Sequence, residues 1–216
     1  MKHGELSIET FVEDSFGENA YVVSTEGRAW VIDPSFPPQV HQLLHFVSSS
    51  KLEVEKIVLT HGHADHIAGV DFVHAAHPRA ELWIASEDAI MLTDANANLS
   101  GPYGMGFTVQ TPPDGDLQPG IKLQLGRFSW TVLDTSGHSP GGRTLYCAEA
   151  GVVLAGDALF AGSIGRTDFP GSDHYRLIRS IRENLLKLPD ETVVYSGHGP
   201  ITTIGKERKF NPFLTD

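Results

Sequence analysis

The strongest constraint on the fold of this chain is a cluster of four potential metal ligands within six residues, at His61, His63, Asp65 and His66. The cluster follows Lys56–Thr60, a run with the composition of a buried strand. In extended backbone, His61 and His63 point their imidazoles to the same side. Asp65 and His66 begin the next predicted helix and can reach a second, neighbouring point. The pattern predicts a metal centre at a strand end, with ligands suited to zinc or iron.

Three further residues of ligand type occupy comparable positions later in the chain. Each follows a predicted strand and a glycine: His138 after Phe128–Leu133, Asp157 after Val152–Ala155, and His198 after Thr192–Tyr195. In α/β folds, ligands gather outside the carboxyl ends of strands. We therefore expect four strand ends to meet at one cleft, where two metal ions lie roughly 3.5–4 Å apart. A carboxylate can bridge both ions, whereas a neutral imidazole binds only one.

Short strand-like runs alternate with three predicted helices along the chain. The other strands are predicted at Ala20–Ser24, Ala29–Ile32, Glu81–Ala85, Ile121–Leu125 and Thr144–Cys147. The helices begin at Pro37, after Asp65 and at Ser172 or Asp173, and Pro189 ends the last one. No repeat, low-complexity tract or long linker divides the sequence, so we predict a single domain over residues 1–216. The alternation favours sheets covered by helices over a closed β-barrel.

Composition limits the classes of partner. Lys and Arg number 16 and Asp and Glu 27, so the formal charge is −11, which disfavours nucleic-acid binding. No apolar run is long enough for a secretory signal or a membrane span, and Cys147 is the sole cysteine. We therefore expect a cytoplasmic protein that acts on a small molecule, with neither nucleic acid nor membrane as a partner.

The segment 96–116 lacks periodicity and holds several glycines and prolines. A loop of about 20 residues is uncommon in a compact domain and is often functional. We therefore treat Tyr103, Met105 and Phe107 as candidate apolar contacts to a substrate. The alternative is an irregular connection between two sheets.

The order of H-x-H-x-D-H, Gly137-His138, Gly156-Asp157 and Gly197-His198 resembles the metallo-β-lactamase superfamily. The resemblance implies an α/β fold, an αββα sandwich with a metal cleft at the edge of two facing sheets. It also implies two ligand sets, which are His61, His63 and His138 for one metal ion and Asp65, His66 and His198 for the other. Asp157 would bridge the two ions, and Asp65 would also act in catalysis by orienting the attacking hydroxide.

Within that superfamily the chain resembles the glyoxalase II group, the hydroxyacylglutathione hydrolases, in its short bacterial form. The similar segments are Asp157-Ala158-Leu159-Phe160, Gly165-Arg166-Thr167-Asp168, Gly197-His198-Gly199-Pro200 and Asn211-Pro212-Phe213-Leu214. The resemblance implies a binuclear hydrolase that cleaves a thioester of S-lactoylglutathione type with a hydroxide shared by two metal ions. Zinc is the expected metal, with iron or manganese as alternatives. We expect the C-terminal helical region of full-length glyoxalase II, which contributes glutathione contacts, to be absent after Leu214.

Several residues near the predicted ligands have candidate supporting roles. Asp33 ends another predicted strand and is a candidate acceptor for a ligand imidazole N–H, unless it forms a simple Asp-Pro turn. Arg143, Arg166 and Lys206 are candidate contacts to an anionic substrate, unless they are solvated surface charges. Arg166 lies in one of the similar segments, where it can instead brace Asp168 and the cleft. Asp168 is therefore a second candidate supporting residue.

Two other functions fit the same residues. Persulfide dioxygenases share the fold and the histidine motif but use a single iron, in a triad resembling His61, His138 and Asp157. Gly199-Pro200 after His198 favours the hydrolase, because these dioxygenases usually carry an acidic residue and a tyrosine there. The second alternative is a non-catalytic metal-binding domain, although every ligand position of the motif is filled.

Overall fold

Alternating apolar residues build two facing sheets, and each sheet comes from one contiguous half of the chain. The computed structural model describes residues 1–215. The seven-stranded first sheet holds, in spatial order, β1 (Lys2–His3), β2 (Leu6–Val12), β3 (Asn19–Thr25), β4 (Arg28–Ile32), β5 (Glu53–Val58), β6 (Glu81–Ile84) and β7 (Gly115–Asp116). The strands of the six-stranded second sheet, in chain order, are β8 (Lys122–Leu125), β9 (Phe128–Asp134), β10 (Arg143–Cys147), β11 (Val152–Gly156), β14 (Val193–Ser196) and β15 (Thr202–Thr203). A separate hairpin contains β12 (Leu159–Phe160) and β13 (Ser163–Ile164).

Helices cover the outer faces of both sheets. They are α1 (Gln39–Ser49), α2 (Ala64–Ile67), α3 (Val70–Ala76), α4 (Ile90–Thr93), α5 (His174–Ser180) and α6 (Ile204–Phe210). Val40 and Leu43 of α1 pack in a cluster on the first sheet, and Leu177 of α5 and Ile204 of α6 pack in another on the second. The predicted αββα order is confirmed. Within residues 1–215, no helix combines the length and the apolar character needed to cross a bilayer.

The apolar cluster between the sheets fixes their spacing. Trp30 of β4 and Trp130 of β9 are fully buried, and their ring centroids are 6.0 Å apart. An aromatic pair of this kind stabilises a core by about 0.5–1.5 kcal/mol beyond its area burial. The packed core therefore holds the two sheets at a defined separation, which fixes the relative positions of the loops at their edge.

Strand direction brings the predicted ligand loops to one edge. In the first sheet, β4 and β5 are parallel. In the second sheet, β11 and β14 are parallel, and β9 runs the same way because both β9 and β11 are antiparallel to β10. The loops that follow β5, β9, β11 and β14 carry the predicted metal ligands.

The structure corrects two of the predicted helices. The helix expected after Asp65 is divided into α2 and α3 at Gly69, whose N–H donates to the carbonyl of Pro34 at 2.8 Å. A Cβ on Gly69 would lie 2.9 Å from the Pro34 carbonyl carbon. Because glycine has no Cβ, the two backbones can make this close contact. The third helix is capped by Asp173 as predicted, but α5 continues as a π-helical turn at Ile181–Leu185.

The irregular segment predicted at 96–116 is observed as a connection over residues 94–114 with neither helix nor strand, and its last two predicted residues form β7 instead. Tyr103 and Met105 remain exposed, at 57% and 38% of their maximal area. Phe107 instead packs against Phe36, with ring centroids 5.5 Å apart, and joins the apolar cluster outside the first sheet. The structure thus gives Phe107 a packing role, and its predicted contact with a substrate stays a prediction.

Candidate metal centre

Asp33 anchors the loop that carries the first ligands. One of its carboxylate oxygens accepts the Thr60 N–H at 2.7 Å. The other accepts the Thr60 hydroxyl at 2.6 Å and the Nδ1–H of His66 at 3.1 Å. The carboxylate is buried, so these bonds act in a region that excludes water. The structure thus places Asp33 against a ligand imidazole, where the sequence predicts it.

A second buried carboxylate, Asp88, joins the loops from the two halves of the chain. It accepts the N–H of Gly62 at 3.1 Å, the hydroxyl of Ser139 at 2.7 Å and the N–H of Gly141 at 2.6 Å. Gly62 separates the first two ligand histidines, and Ser139 follows His138. Burial raises the pKa of Asp88 even though these donors favour its ionised form. No sequence pattern marks Asp88, since only its long-range contacts distinguish it from other acidic residues.

Two glycines beside the later ligands allow unusually close packing. Gly137 has φ +135°, and a Cβ there would lie 2.3 Å from the backbone nitrogen of Leu177. A Cβ on Gly197 would lie 2.1 Å from Oδ1 of Asp157. Glycine therefore lets the α5 backbone and the loop after β14 approach the ligands directly.

Replacing Gly137 by alanine is expected to lower the free energy of unfolding by at least about 3 kcal/mol, because backbone strain adds to a clash with the Leu177 backbone. Gly151→Ala is the matched control, since Gly151 also has positive φ, +63°, but no atom lies within 4 Å of the added Cβ. The control should lose about 1–2 kcal/mol. Urea unfolding of both variants measures the difference, and equal losses would contradict the importance of the close contact.

The seven predicted ligands converge in three overlapping groups. Within each group, the ligand atoms all lie within 4.8 Å of one another. The groups are His61, His63 and His138; His61, His66 and Asp157; and Asp65, His66 and His198. The first and third groups are the two ligand sets that the sequence resemblance implies, and the second group connects them.

Asp157 faces imidazoles from both ligand sets. Its Oδ1 is 3.4 Å from Nε2 of His66, and its Oδ2 is 3.5 Å from Nε2 of both His138 and His198. Asp65 belongs to the second set, and its Oδ2 is 3.3 Å from Nε2 of His198. The position of Asp157 allows each of its oxygens to contact a different cation.

Hydrogen bonds on the far side of the imidazoles fix which nitrogen faces the centre. Nδ1 of His138 donates to the carbonyl of Arg166 at 2.7 Å, and Nδ1 of His198 donates to the carbonyl of Phe16 at 3.2 Å. Nδ1 of His66 donates to the buried carboxylate described above. Because a carbonyl or carboxylate oxygen can only accept, the Nδ1 atoms of these three imidazoles carry protons and their Nε2 atoms point toward the centre, as metal ligands do. His63 differs, because its Nδ1 lies 2.9 Å from Nε2 of His138 and faces the centre.

Burial and neighbouring charges set the protonation of the imidazoles. Burial lowers the pKa of His61 well below its usual range and that of His63 to about 3, and nearby imidazoles add to the effect. Burial also acts to lower the pKa of His66 and His198, but adjacent carboxylates, among them Asp65, outweigh it and raise both values. His61 and His63 are therefore neutral near pH 7 and ready to bind a cation, whereas His66 and His198 must release protons to do so.

Buried polar atoms without a protein partner fit the presence of cations. Nε2 of His61, Nε2 of His66 and Oδ1 of Asp157 are buried and have no hydrogen-bond partner among residues 1–215. Such atoms are rare in folded proteins unless another group satisfies them. Imidazole nitrogens with carboxylate oxygens form a donor set suited to zinc and to iron. The residues therefore fit a pair of divalent cations.

A cavity of about 150 Å³ opens onto the ligands. Besides His63, Asp65, His138 and Asp157, it is lined by Phe16, Ala64, Leu99, Tyr103, Met105, Arg166 and Phe169. We refer to Phe16, Tyr103, Met105 and Phe169 as the apolar rim. Tyr103 and Met105 lie where the sequence predicts substrate contacts, but Phe16 and Phe169 were missed, because no local pattern connects these distant residues to the site.

The three positively charged residues predicted to contact a substrate differ in their positions relative to this cavity. The prediction for Arg143 is wrong, because this side chain is 2% exposed and pairs with the carboxylates of Glu87 at 2.7 Å and Asp134 at 3.4 Å. Arg166 lines the cavity and makes two contacts of 2.7 Å to Asp168, which is the predicted brace. Asp168 pairs with Arg166 and also interacts electrostatically with the ligand His138. Lys206 is exposed at the start of α6 and does not line the cavity.

Comparison with known proteins agrees with this geometry. The hydroxyacylglutathione hydrolase GloC of Haemophilus influenzae is 35% identical over 211 residues, which cover 97% of this chain and 98% of GloC. The crystal structure of the BLEG-1 B3 metallo-beta-lactamase matches with a TM-score of 0.92 and 36% identity, over 97% of this chain and 100% of that chain. The structure of TTHA1623 in a di-iron-bound form matches with a TM-score of 0.84 and 36% identity, over 95% of this chain and 100% of that chain.

A comparison with protein-family models agrees with these similarities. The profile of the metallo-beta-lactamase superfamily matches residues 14–198, a range that contains all seven candidate ligands. Together with the fold, the ligand geometry and relatives that are similar over nearly their full length, this match shows that the chain belongs to the metallo-beta-lactamase superfamily.

Proposed function

We propose that this protein is a binuclear metal-dependent hydrolase that cleaves thioesters, with a hydroxyacylglutathione of S-lactoylglutathione type as its first test substrate. The observation that carries the proposal is the position of Asp157, whose two oxygens lie within 3.5 Å of imidazoles from both ligand sets. A single-ion site does not need a carboxylate between two sets of ligands. The name of the GloC relative supports a thioester substrate.

The ligand sets define where the cations would be held. His61, His63 and His138 would hold one, Asp65, His66 and His198 the other, and Asp157 would contact both. When bound, two divalent cations lower the pKa of a shared water and polarise the substrate carbonyl. Zinc is the expected metal, and the di-iron-bound form of TTHA1623 supports iron as an alternative.

The chain's own residues favour water as the nucleophile. Neither a serine nor a cysteine lines the cavity among residues 1–215. Asp65 borders the cavity, and although burial acts to raise its pKa, His66 and His198 hold that pKa well below its usual range. The ionised carboxylate of Asp65 can therefore accept a hydrogen bond from the attacking water and orient it toward the carbonyl carbon.

The reaction needs no proton donor at the leaving sulfur. The water oxygen bonds to the carbonyl carbon, the C–S bond breaks, and the products are a carboxylate, a thiolate and the protons of the water. Because thiols have a pKa of about 8.5, the thiolate leaves readily near neutral pH.

Metal analysis and thioester hydrolysis test the proposal together. Protein purified without added metal should contain about two divalent ions per chain and should hydrolyse S-lactoylglutathione. His63→Ala should lose about one ion and at least about 100-fold in kcat/KM, because one ligand set is left incomplete. His45→Ala is the control, since His45 is an exposed histidine of α1 outside the site.

The outcomes separate the proposed function from its alternatives. One iron per chain with oxygen uptake on a persulfide would support a dioxygenase and contradict the hydrolase. Equal turnover by wild type and His63→Ala would contradict catalysis by this centre and leave a metal-binding domain.

β-Lactam hydrolysis is a second candidate function. It is favoured by the TM-score of 0.92 with the BLEG-1 B3 metallo-beta-lactamase. The same attack by water on a carbonyl carbon would break a C–N bond instead of a C–S bond. A chromogenic cephalosporin, assayed beside S-lactoylglutathione with the same variants, distinguishes the two activities.

A further inference from the structure

Large apolar side chains are exposed around the mouth of the cavity. Phe16 is 41% exposed, Tyr103 57% and Met105 38%. Phe16 comes from the turn between β2 and β3 and Tyr103 from the connection 94–114, yet their ring centroids are only 6.5 Å apart. Exposed apolar groups gathered around a cavity that holds reactive side chains are typical of a ligand-binding surface.

The apolar rim continues down to the ligands themselves. The ring of Phe169 lies 5.4 Å from that of His63 and 6.1 Å from that of His138, measured between centroids. A substrate with its carbonyl at the ligands would therefore place the atoms beyond the scissile bond against the rim. These atoms belong to the leaving thiol or to the acyl chain, and the acyl chain of a 2-hydroxyacyl group is short and polar.

Positive charge at the rim is already neutralised. Arg166 is the only cationic side chain that lines the cavity within the described part of the chain. Both of its contacts to Asp168 are 2.7 Å long, and its guanidinium lies 4.2 Å over the ring of Phe169. The carboxylates of a tripeptide such as glutathione would thus find no unpaired cation at this mouth.

We propose that the preferred substrate is a thioester whose thiol part is an uncharged aromatic or alkyl group packed against the apolar rim. This inference rests on the proposed thioester hydrolysis and specifies the thiol that leaves. In the reaction, the water oxygen replaces the sulfur on the carbonyl carbon, and the apolar thiol departs as thiolate. The cavity volume of about 150 Å³ is of the order that holds one aromatic ring.

The test compares two thioesters of lactic acid in the metal-loaded protein, one with benzyl mercaptan and one with glutathione. We expect kcat/KM to be at least about tenfold higher for the benzyl thioester than for the glutathione thioester. The reason is that packing the benzyl ring against the apolar rim removes apolar surface from water. Tyr103→Ala and Met105→Ala should each lower kcat/KM for the benzyl thioester by about five- to tenfold, a larger loss than for the glutathione thioester. Tyr175→Ala is the matched control, because Tyr175 is 86% exposed on α5 and does not line the cavity.

A binding experiment makes the inference independent of turnover. Benzyl 2-hydroxypropyl sulfide and S-(2-hydroxypropyl)glutathione lack the carbonyl and cannot be hydrolysed, so calorimetry measures their recognition alone. Tighter binding of the benzyl sulfide, weakened in Tyr103→Ala, would support the inference. Tighter binding of the glutathione sulfide, or equal losses for both compounds in Tyr103→Ala, would overturn it. Failure of both thioesters to react would overturn the proposed function, and the binding result would still decide the inference.

Discussion

Asp157→Asn should leave the fold intact but abolish most of the hydrolytic activity, with kcat/KM reduced by at least about 10³-fold. The carboxylate presents one oxygen to His66 and the other to His138 and His198. An asparagine offers one acceptor oxygen and one NH₂ group, and the NH₂ group cannot bind a cation. We therefore expect the number of bound divalent ions to fall from about two to at most one per chain.

Elemental analysis and kinetics on the same samples measure both effects. Asp14→Asn is the control, since Asp14 is an exposed residue outside the site and its replacement makes the same change of charge. Two ions per chain and full activity in Asp157→Asn would exclude a bridging role. Circular dichroism at the same time shows whether the variant keeps its secondary structure.

Asp88→Ala should lower the free energy of unfolding by about 3–5 kcal/mol. Its carboxylate accepts two backbone N–H groups and one hydroxyl in a buried region, and the variant leaves all three donors without an acceptor. Activity should fall as well, since the donors belong to the loops that position His63 and His138. Asp88→Asn should lose less, because it keeps the side-chain volume and one acceptor.

Denaturant unfolding of the metal-free and the metal-loaded protein measures this loss. Asp94→Ala is the matched control, because Asp94 also accepts two backbone N–H groups but is exposed to water. The control should lose no more than about 1 kcal/mol. If Asp88→Ala lost no more free energy of unfolding than this control, burial of the carboxylate would not contribute to stability.

The sequence predicts the fold where the local pattern and the tertiary structure agree. The alternation at Phe128–Leu133 and the apolar run at Val152–Ala155 correspond to β9 and β11, since one face or both faces of these strands are buried. The glycines before His138, Asp157 and His198 predict close packing at the strand ends, and the structure brings all three residues together with the early histidines. The prediction of a single domain over residues 1–216 stays a prediction.

The remaining features depend on contacts between residues far apart in the chain. Gly69 divides the second helix only because the backbone of Pro34 lies against it. A charged residue such as Arg143 is usually exposed, but its side chain is buried here. It pairs with Glu87 and donates to the carbonyl of Leu117. Asp88 and Phe16 also owe their positions to distant partners, so no periodicity or motif marks them.

Because each sheet comes from one contiguous half of the chain, the protein can be divided into two fragments that each contain one whole sheet. The first sheet ends at residue 116 and the second begins at residue 122, so a single short covalent link joins them. Each half carries an incomplete set of ligands, with His63 on one side and His138 on the other. Two fragments separated at Gln118–Gly120 would each hold only part of the ligands, so that metal binding by the mixture would report their reassembly.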